Sequence, residues 1–237
     1  MKKLSTLLIA LFAVAMLNAQ QVNDPNAEIR QAKGYHGINV SNSFDVYLSQ
    51  SNEEAVAVSA AETKYRDRIK VEVRDGILFI SYENEGKSWG SGNGNKKLKA
   101  YISFKQIDQL KASGACDVFI TNTIKADALT INQSGATDLK GKLDVNKLIV
   151  SLSGASDMML TGTATQISID ASGASDFKGF DLVTEICNAK ASGASDIKIT
   201  VNKELSAQAS GASDVHYKGN GVIKDLKSSG SSSVSKS

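Results

Sequence analysis

The chain has 237 residues, and 27 basic residues nearly balance 25 acidic ones, which leaves a formal net charge of +2. This balance argues against a nucleic-acid partner or a strongly anionic membrane surface. All four arginines precede residue 75, so the C-terminal two thirds lack the bidentate anion clamp that guanidinium provides.

The first 19 residues have the layout of a secretory signal peptide. Lys2 and Lys3 precede an apolar run from Leu7 to Leu17, and a small residue, Ala19, follows. No later apolar stretch approaches the length of a transmembrane helix, so none is expected after cleavage. The sequence therefore predicts an exported protein that is periplasmic, outer-membrane-associated or extracellular.

Residues 20–34 are polar and contain the only proline, Pro25, which predicts an exposed lead-in. From residue 35 onward apolar and polar residues alternate, as in Phe44-Asp45-Val46-Tyr47-Leu48, which indicates strands with one buried face. Residues 60–67 lack this alternation and predict a short helical turn. Asp75-Gly76 lies between two apolar runs and predicts a hairpin.

Residues 83–97 are rich in glycine, asparagine and charge, which predicts a loop, and they contain the only tryptophan, Trp89. A tryptophan on such a loop could stack on a sugar ring or anchor a protein partner. The alternative is that Trp89 folds back and covers apolar surface of its own domain.

A five-residue motif then recurs through the C-terminal half of the chain. Copies of Ser-Gly-Ala-Ser-Asp begin at Ser153, Ser172, Ser192 and Ser210. Near-copies with Cys116 and Thr137 at the fourth place begin at Ser113 and Ser134, and a degenerate copy begins at Ser229. Successive copies are 18 to 21 residues apart, a period typical of stacked repeats. We expect one all-β solenoid domain over residues 35–228, with irregular coils over 35–110, regular repeats over 111–228, and a polar tail over 229–237 that frays.

Alignment of the copies on their first serine produces columns of like residues. Three columns are apolar, represented by Leu148, Val150 and Met158, and are predicted to face inward. The position after Met158 is mostly hydrophilic in other copies and is predicted to face outward; it includes Lys140, Lys178 and Lys198. These lysines and Trp89 are the candidate ligand-binding residues.

The motif itself has the composition of a corner. Glycine permits a positive φ or a close approach of neighbouring coils, and the serines and aspartates can hydrogen-bond backbone groups at a bend. The predicted corner glycines are Gly114, Gly135, Gly154, Gly173, Gly193 and Gly211. The predicted corner aspartates are Asp117, Asp138, Asp157, Asp176, Asp196 and Asp214.

Stacked in register, these aspartates would lie about 4.8 Å apart, and their repulsion would need relief from amides, lysines, solvent or calcium. Calcium-binding β-roll repeats are shorter and supply several ligands per turn, so no metal or other cofactor is the favoured prediction.

The two cysteines fall at unrelated places in the repeat. Cys116 takes the fourth place of the first motif copy, and Cys187 lies in an apolar column several coils later. Coil spacing puts them roughly 15 Å apart, whereas a disulfide needs Cα atoms within about 7 Å. The sequence therefore predicts two free thiols.

The motif copies, together with Gly37-Ile38-Asn39-Val40, Phe44-Asp45-Val46-Tyr47-Leu48 and Asp75-Gly76-Ile77-Leu78-Phe79-Ile80, resemble the head GIN domain family of putative auto-transporter adhesins. The resemblance covers about residues 35–225. It implies a right-handed parallel β-helix in an exported protein of the type found in Bacteroidetes, and an adhesive role. The biochemical activity that goes with this fold is left open.

Three classes of function remain. The favoured one is a non-enzymatic adhesin-like binding or structural module of the cell envelope, whose partner could be a glycan or another envelope component. The second is a polysaccharide lyase or hydrolase; no histidine-centred or phosphate-loop pattern supports it, and His36 and His216 lie near opposite ends. The third is a purely structural role, and a fraying tail would favour a monomer.

Overall fold

Alternating buried and exposed side chains run through almost every strand of the computed structural model, which describes residues 24–83 and 96–237. The described strands are β1 Glu28–Arg30, β2 Gly37–Asn42, β3 Phe44–Gln50, β4 Ala55–Ser59, β5 Ile69–Arg74, β6 Ile77–Tyr82, β7 Leu98–Phe104, β8 Gln109–Gly114, β9 Asp117–Ile120, β10 Ile124–Gly135, β11 Asp138–Gly154, β12 Asp157–Ala171, β13 Asp176–Ala191, β14 Asp196–Gly211, β15 Asp214–Lys218, β16 Val222–Gly230 and β17 Ser233–Lys236. One helical turn, α1 Thr63–Arg66, lies where the sequence predicts it.

Parallel pairing of successive repeats builds a β-solenoid, which confirms the predicted fold class. β10 to β14 pair in chain order, and the motifs stack in register, with Ser134 opposite Ser153 and Asp138 opposite Asp157. Where a repeat departs from nineteen residues, the register shifts between Gly179 and Val183, away from the motif. The corner therefore stays aligned while the opposite side of the coil absorbs the difference in length.

Each motif separates two faces of the solenoid. We call the strands that lead into the motif, such as β8 and β16, the entry face, and those that follow it, such as β9, β15 and β17, the exit face. In β11 to β14 one long strand begins on the exit face and ends on the entry face of the next coil. Side chains that point inward from both faces form one continuous apolar core.

The N-terminal coils do not stack in chain order. β2 lies between β6 and β8 on the entry face, and β3 lies between β7 and β9 on the exit face. The chain therefore enters the solenoid at its second coil, leaves it, and builds the first coil later with β6 and β7. Residues 35–110, predicted as irregular coils, contain two coils that pair regularly in this permuted order.

Antiparallel strands cover the N-terminal end of this stack. β4 pairs with β7, β1 pairs with β4, and β5 pairs with β6 across the predicted Asp75-Gly76 hairpin. In the described part of the predicted lead-in over 20–34, the free edge of β4 pairs with β1 and Ala32 is buried, whereas Ile29 is 74% exposed.

The C-terminal residues also differ from the prediction. Residues 229–237 were expected to fray, but Gly230 ends β16 and Ser233–Lys236 forms β17, which pairs with β15. The degenerate last motif still supplies a glycine with a φ of 77° and a hydroxyl at its fourth place, so it makes a complete corner. The apolar side chains of this last coil are more exposed than those of inner coils, as at Leu226, which is 41% exposed.

Candidate functional site

The exposed ridge of the solenoid is built from the glycines of the repeated motif. All six predicted corner glycines have a positive φ, for example 81° at Gly173. A Cβ on Gly173 would lie 2.5 Å from the carbonyl oxygen of Gly154 in the preceding coil. The amide of the following residue, Ala174, donates to the same carbonyl at 2.7 Å. Both reasons given for glycine in the sequence, positive φ and close approach, therefore apply at one position.

The fourth residue of the motif points into the core, a role that the sequence interpretation missed. Ser175 is fully buried, and its hydroxyl donates to the carbonyl of Ser172 at 2.9 Å. Ser156, Ser195 and Ser213 make the equivalent bond within their own corners. Alternation could have revealed this orientation, because each of these serines directly precedes an outward aspartate.

The motif aspartates form the predicted ladder on the exit face. Asp117 pairs with Asp138, and the column continues in register to Asp214. It begins one coil earlier than predicted, at Asp45, and Ser233 takes the place beyond Asp214. Parallel strands place successive carboxylates about 4.8 Å apart.

Two of the predicted sources of relief are visible along this ladder. The ammonium group of Lys178 lies 2.8 Å from a carboxylate oxygen of Asp157 and 3.4 Å from one of Asp176. The hydrogen bond to Asp157 raises the pKa of Lys178. At the far end, hydrogen bonds from the hydroxyl and the amide of Ser233 lower the pKa of Asp214.

The outward lysines lie in the column predicted for them, two residues beyond the aspartates. Lys140 pairs with Met159, Met159 with Lys178, and Lys178 with Lys198. Lys178 and Lys198 are therefore neighbours, whereas Met159, 45% exposed, separates Lys140 from them. The fourth candidate, Trp89, lies outside the described residues.

An aromatic stack continues this lysine column toward the N-terminal end. The ring of Tyr47 stacks on Tyr101 at a centroid distance of 5.1 Å and on Phe119 at 5.3 Å. The hydroxyl of Tyr101 donates to Asp24 at 2.9 Å, and burial together with this bond raises the pKa of Tyr101. The likeness of residues 44–48 to the first repeat could have aligned Tyr47 with Phe119, but Tyr101 joins them only through the permuted coil order.

Together these columns form a regular, half-exposed surface, which we call the exit-face array: the aspartate ladder from Asp45 to Asp214 and the parallel column of Tyr101, Tyr47, Phe119, Lys140, Met159, Lys178, Lys198 and His216. It offers carboxylate acceptors, ammonium donors and aromatic edges at a repeat of one coil. Such a surface can make many weak contacts with an extended polar partner.

The described residues show no metal-binding cluster. No group of three or more histidine, cysteine, aspartate or glutamate side chains in that part of the chain is arranged to hold a metal ion. The absence of a cofactor, with calcium as the alternative, stays a prediction. Both cysteines are free, as predicted, and both are buried.

Comparison with known proteins identifies the family. The family model described as "Putative auto-transporter adhesin, head GIN domain" matches residues 34–221. The chain belongs to this family. Among curated proteins, none matches the chain.

Several solved structures share the fold of this GIN-domain chain. A putative adhesin from Bacteroides fragilis is 24% identical, with a TM-score of 0.80, over 89% of this chain and 96% of its own. A putative adhesin from Parabacteroides merdae is 17% identical, with a TM-score of 0.66, over 89% and 95%. A structure described as a putative lipid binding protein from Parabacteroides distasonis is 24% identical, with a TM-score of 0.65, over 90% and 98%.

Within the described residues, no helix of the GIN-domain chain is long and apolar enough to cross a membrane.

Proposed function

We propose that this GIN-domain chain is an exported, non-enzymatic adhesin-like module of the cell envelope that binds glycan through the exit-face array. Family membership supports the adhesin-like role. The observation that carries the glycan proposal is that the aspartate ladder and the column of lysines and aromatic residues run side by side on one face, each paired in register from coil to coil.

The chemistry of the array fits a polymer of hydroxyl-rich units. Carboxylates accept hydrogen bonds from sugar hydroxyls, and ammonium groups donate to ring and hydroxyl oxygens. Lys140 and Lys198 make no ion pair within the described part of the chain, so each retains donor capacity for a partner. Lys178, by contrast, is held between Asp157 and Asp176 and would contribute mainly by fixing the carboxylates.

A polysaccharide lyase or hydrolase is the second candidate that the sequence raises. Such an enzyme needs an acid and a base that differ in environment from their neighbours. The ladder aspartates from Asp117 to Asp196 instead repeat the same position on successive coils. This uniformity favours a binding surface over a catalytic pair.

The test is a glycan array probed with the mature chain, followed by titration of the best glycan by calorimetry. We expect the triple variant K140A/K178A/K198A to lose at least tenfold in affinity. The matched control is K111A/K147A/K190A, which removes three exposed lysines that lie outside the array. Control affinity should stay within about twofold of the unmodified chain.

Two results would contradict the glycan proposal. One is an array on which the mature chain binds nothing above background. The other is equal weakening by the two triple variants, because that would show a general charge effect rather than use of the exit-face array. Shortening of a bound glycan during the titration would support the enzymatic candidate instead.

A further inference from the structure

The two ends of the solenoid are finished differently. At the N-terminal end, β1, β4 and β5 pair antiparallel to the outer coil and cover it. At the C-terminal end, β16 pairs only with β14, and β17 only with β15, among the described residues. The outer edges of β16 and β17 therefore present backbone donors and acceptors to which no described strand is paired.

The apolar core is also open at this end. Leu226 lies opposite Ala207, and Ile223 opposite Leu205, in columns that are fully buried in the inner coils. On the last coil the exposed fractions rise to 41% at Leu226 and 42% at Ile223. A strand edge beside exposed core residues is a surface suited to continued pairing.

The sequence favoured a monomer because its polar tail was expected to fray and so block this end. The tail instead completes the last coil as β17. The frayed tail that was expected to block pairing is therefore absent, and the ordered edge of β17 lies in its place.

The charges on β16 are arranged symmetrically around Leu226. Asp225 and Lys227 flank it, both on the outward side, and their side chains pair at 2.8 Å. If two β16 strands pair antiparallel about Leu226, Asp225 of one copy lies opposite Lys227 of the other, and the reverse holds as well. Directly opposed unlike charges stabilise a sheet pair, and a contact that repeats itself by a two-fold rotation closes after two copies.

We propose that two copies of this chain associate end to end through their last coils, with β16 antiparallel to β16 of the second copy about Leu226. The two entry faces then form one continuous sheet, and the open cores cover each other. The ladder position on the last coil is Ser233 rather than an aspartate, so the aspartate ladder itself adds no carboxylate to the interface. This dimer does not depend on the proposed glycan site.

The experiment measures the mass of the mature chain by light scattering after gel filtration, over a hundredfold range of concentration. We expect a concentration-dependent dimer. D225K should give a monomer over the same range. Both outward positions that flank Leu226 would then be positive, and each would lie opposite a positive residue of the second copy. The double swap D225K/K227D restores opposite charges across the two-fold axis and should restore the dimer.

A matched control changes a similar ion pair on the side of the solenoid. E185K disrupts the pair of Glu185 with Lys203, whose charged atoms are 2.7 Å apart, and should leave the dimer unaffected. Circular dichroism verifies that each variant retains its strand content. A chain that is monomeric throughout, species that grow beyond dimers, or a dimer that persists in D225K would each overturn the proposal.

Discussion

At the scale of single residues, the stacked glycines are the least replaceable feature of the repeat. Gly173 has a φ of 81°, and an added Cβ would meet the Gly154 carbonyl at 2.5 Å. We expect Gly173→Ala to lower the free energy of unfolding by about 1–3 kcal/mol from backbone strain alone, with a further loss from the contact. Chemical denaturation monitored by circular dichroism measures the change.

Gly34 offers a control that separates the two costs. Its φ is 74°, but an added Cβ would meet nothing within 4 Å. Gly34→Ala should therefore show the conformational cost without the steric one, and should destabilise the chain less than Gly173→Ala. Equal losses would mean that the coil spacing relaxes freely around a methyl group.

The cysteines lead to a second prediction at this scale. Burial raises the pKa of Cys187 to about 12 and also raises that of Cys116. Because the thiolate is the reactive form, neither should react with Ellman's reagent at pH 8 while the chain is folded. Two thiols should be counted after unfolding in guanidinium without reductant. A count of zero under those conditions would show a disulfide and would refute the coil register.

At the scale of elements, the pairing of β15 with β17 provides a test of how hydrogen bonds stabilise the ionised carboxylates of the aspartate ladder. Ser233→Ala removes a hydroxyl that donates to Asp214 at 2.7 Å, so the pKa of Asp214 should rise toward its ordinary value. A folded-state pKa below the unfolded one contributes stability above the unfolded pKa, and this is lost as pH falls through the folded pKa. The variant should therefore lose less stability on acidification below about pH 4.

Carbon-detected NMR titration of the Asp214 carboxyl measures the pKa directly. Ser231→Ala is the matched control, because its side chain is exposed and its amide makes the contact to Gly211. The control should leave the Asp214 titration unchanged. An unchanged titration in Ser233→Ala as well would mean that the backbone amide of residue 233 holds the carboxylate without help from the hydroxyl.

The same scale shows what sequence periodicity can and cannot predict. The three columns represented by Leu148, Val150 and Met158 were assigned inward from repeat alignment, and all three of these residues are buried. Alignment works there because each coil pairs with the next along the chain. It could not predict that β2 lies between β6 and β8, because that order depends on pairing between distant segments.

The candidate site likewise has a part that repeat alignment predicts and a part that depends on pairing between distant segments. The aspartates and lysines were predicted residue by residue, because strand alternation fixes which side chains point outward. The stack of Tyr101 on Tyr47 required the permuted N-terminal order. The open C-terminal end was obscured by composition, since a serine-rich segment is typical of a tail, although its glycine and fourth-place serine retain the corner geometry.

At the scale of the whole molecule, a solenoid has a stability profile rather than a single value, because each coil is supported by its neighbours. Inner strands such as β12 pair on both sides, the first coil is covered by β1, β4 and β5, and the last coil pairs on one side only among the described residues. We expect amide hydrogen exchange to be slowest in β11–β13 and fastest in β16 and β17. Mass spectrometry of peptic fragments, over time, measures this order.

The concentration of the chain provides the decisive comparison in that exchange experiment. If last coils pair between copies, protection of β16 should increase with protein concentration, whereas protection of β5 at the covered end should not. D225K should abolish the concentration dependence while leaving β11–β13 as protected as before. Protection of β16 equal to that of β12 at all concentrations would contradict the profile, since it would require a cover on the last coil that does not depend on a second copy.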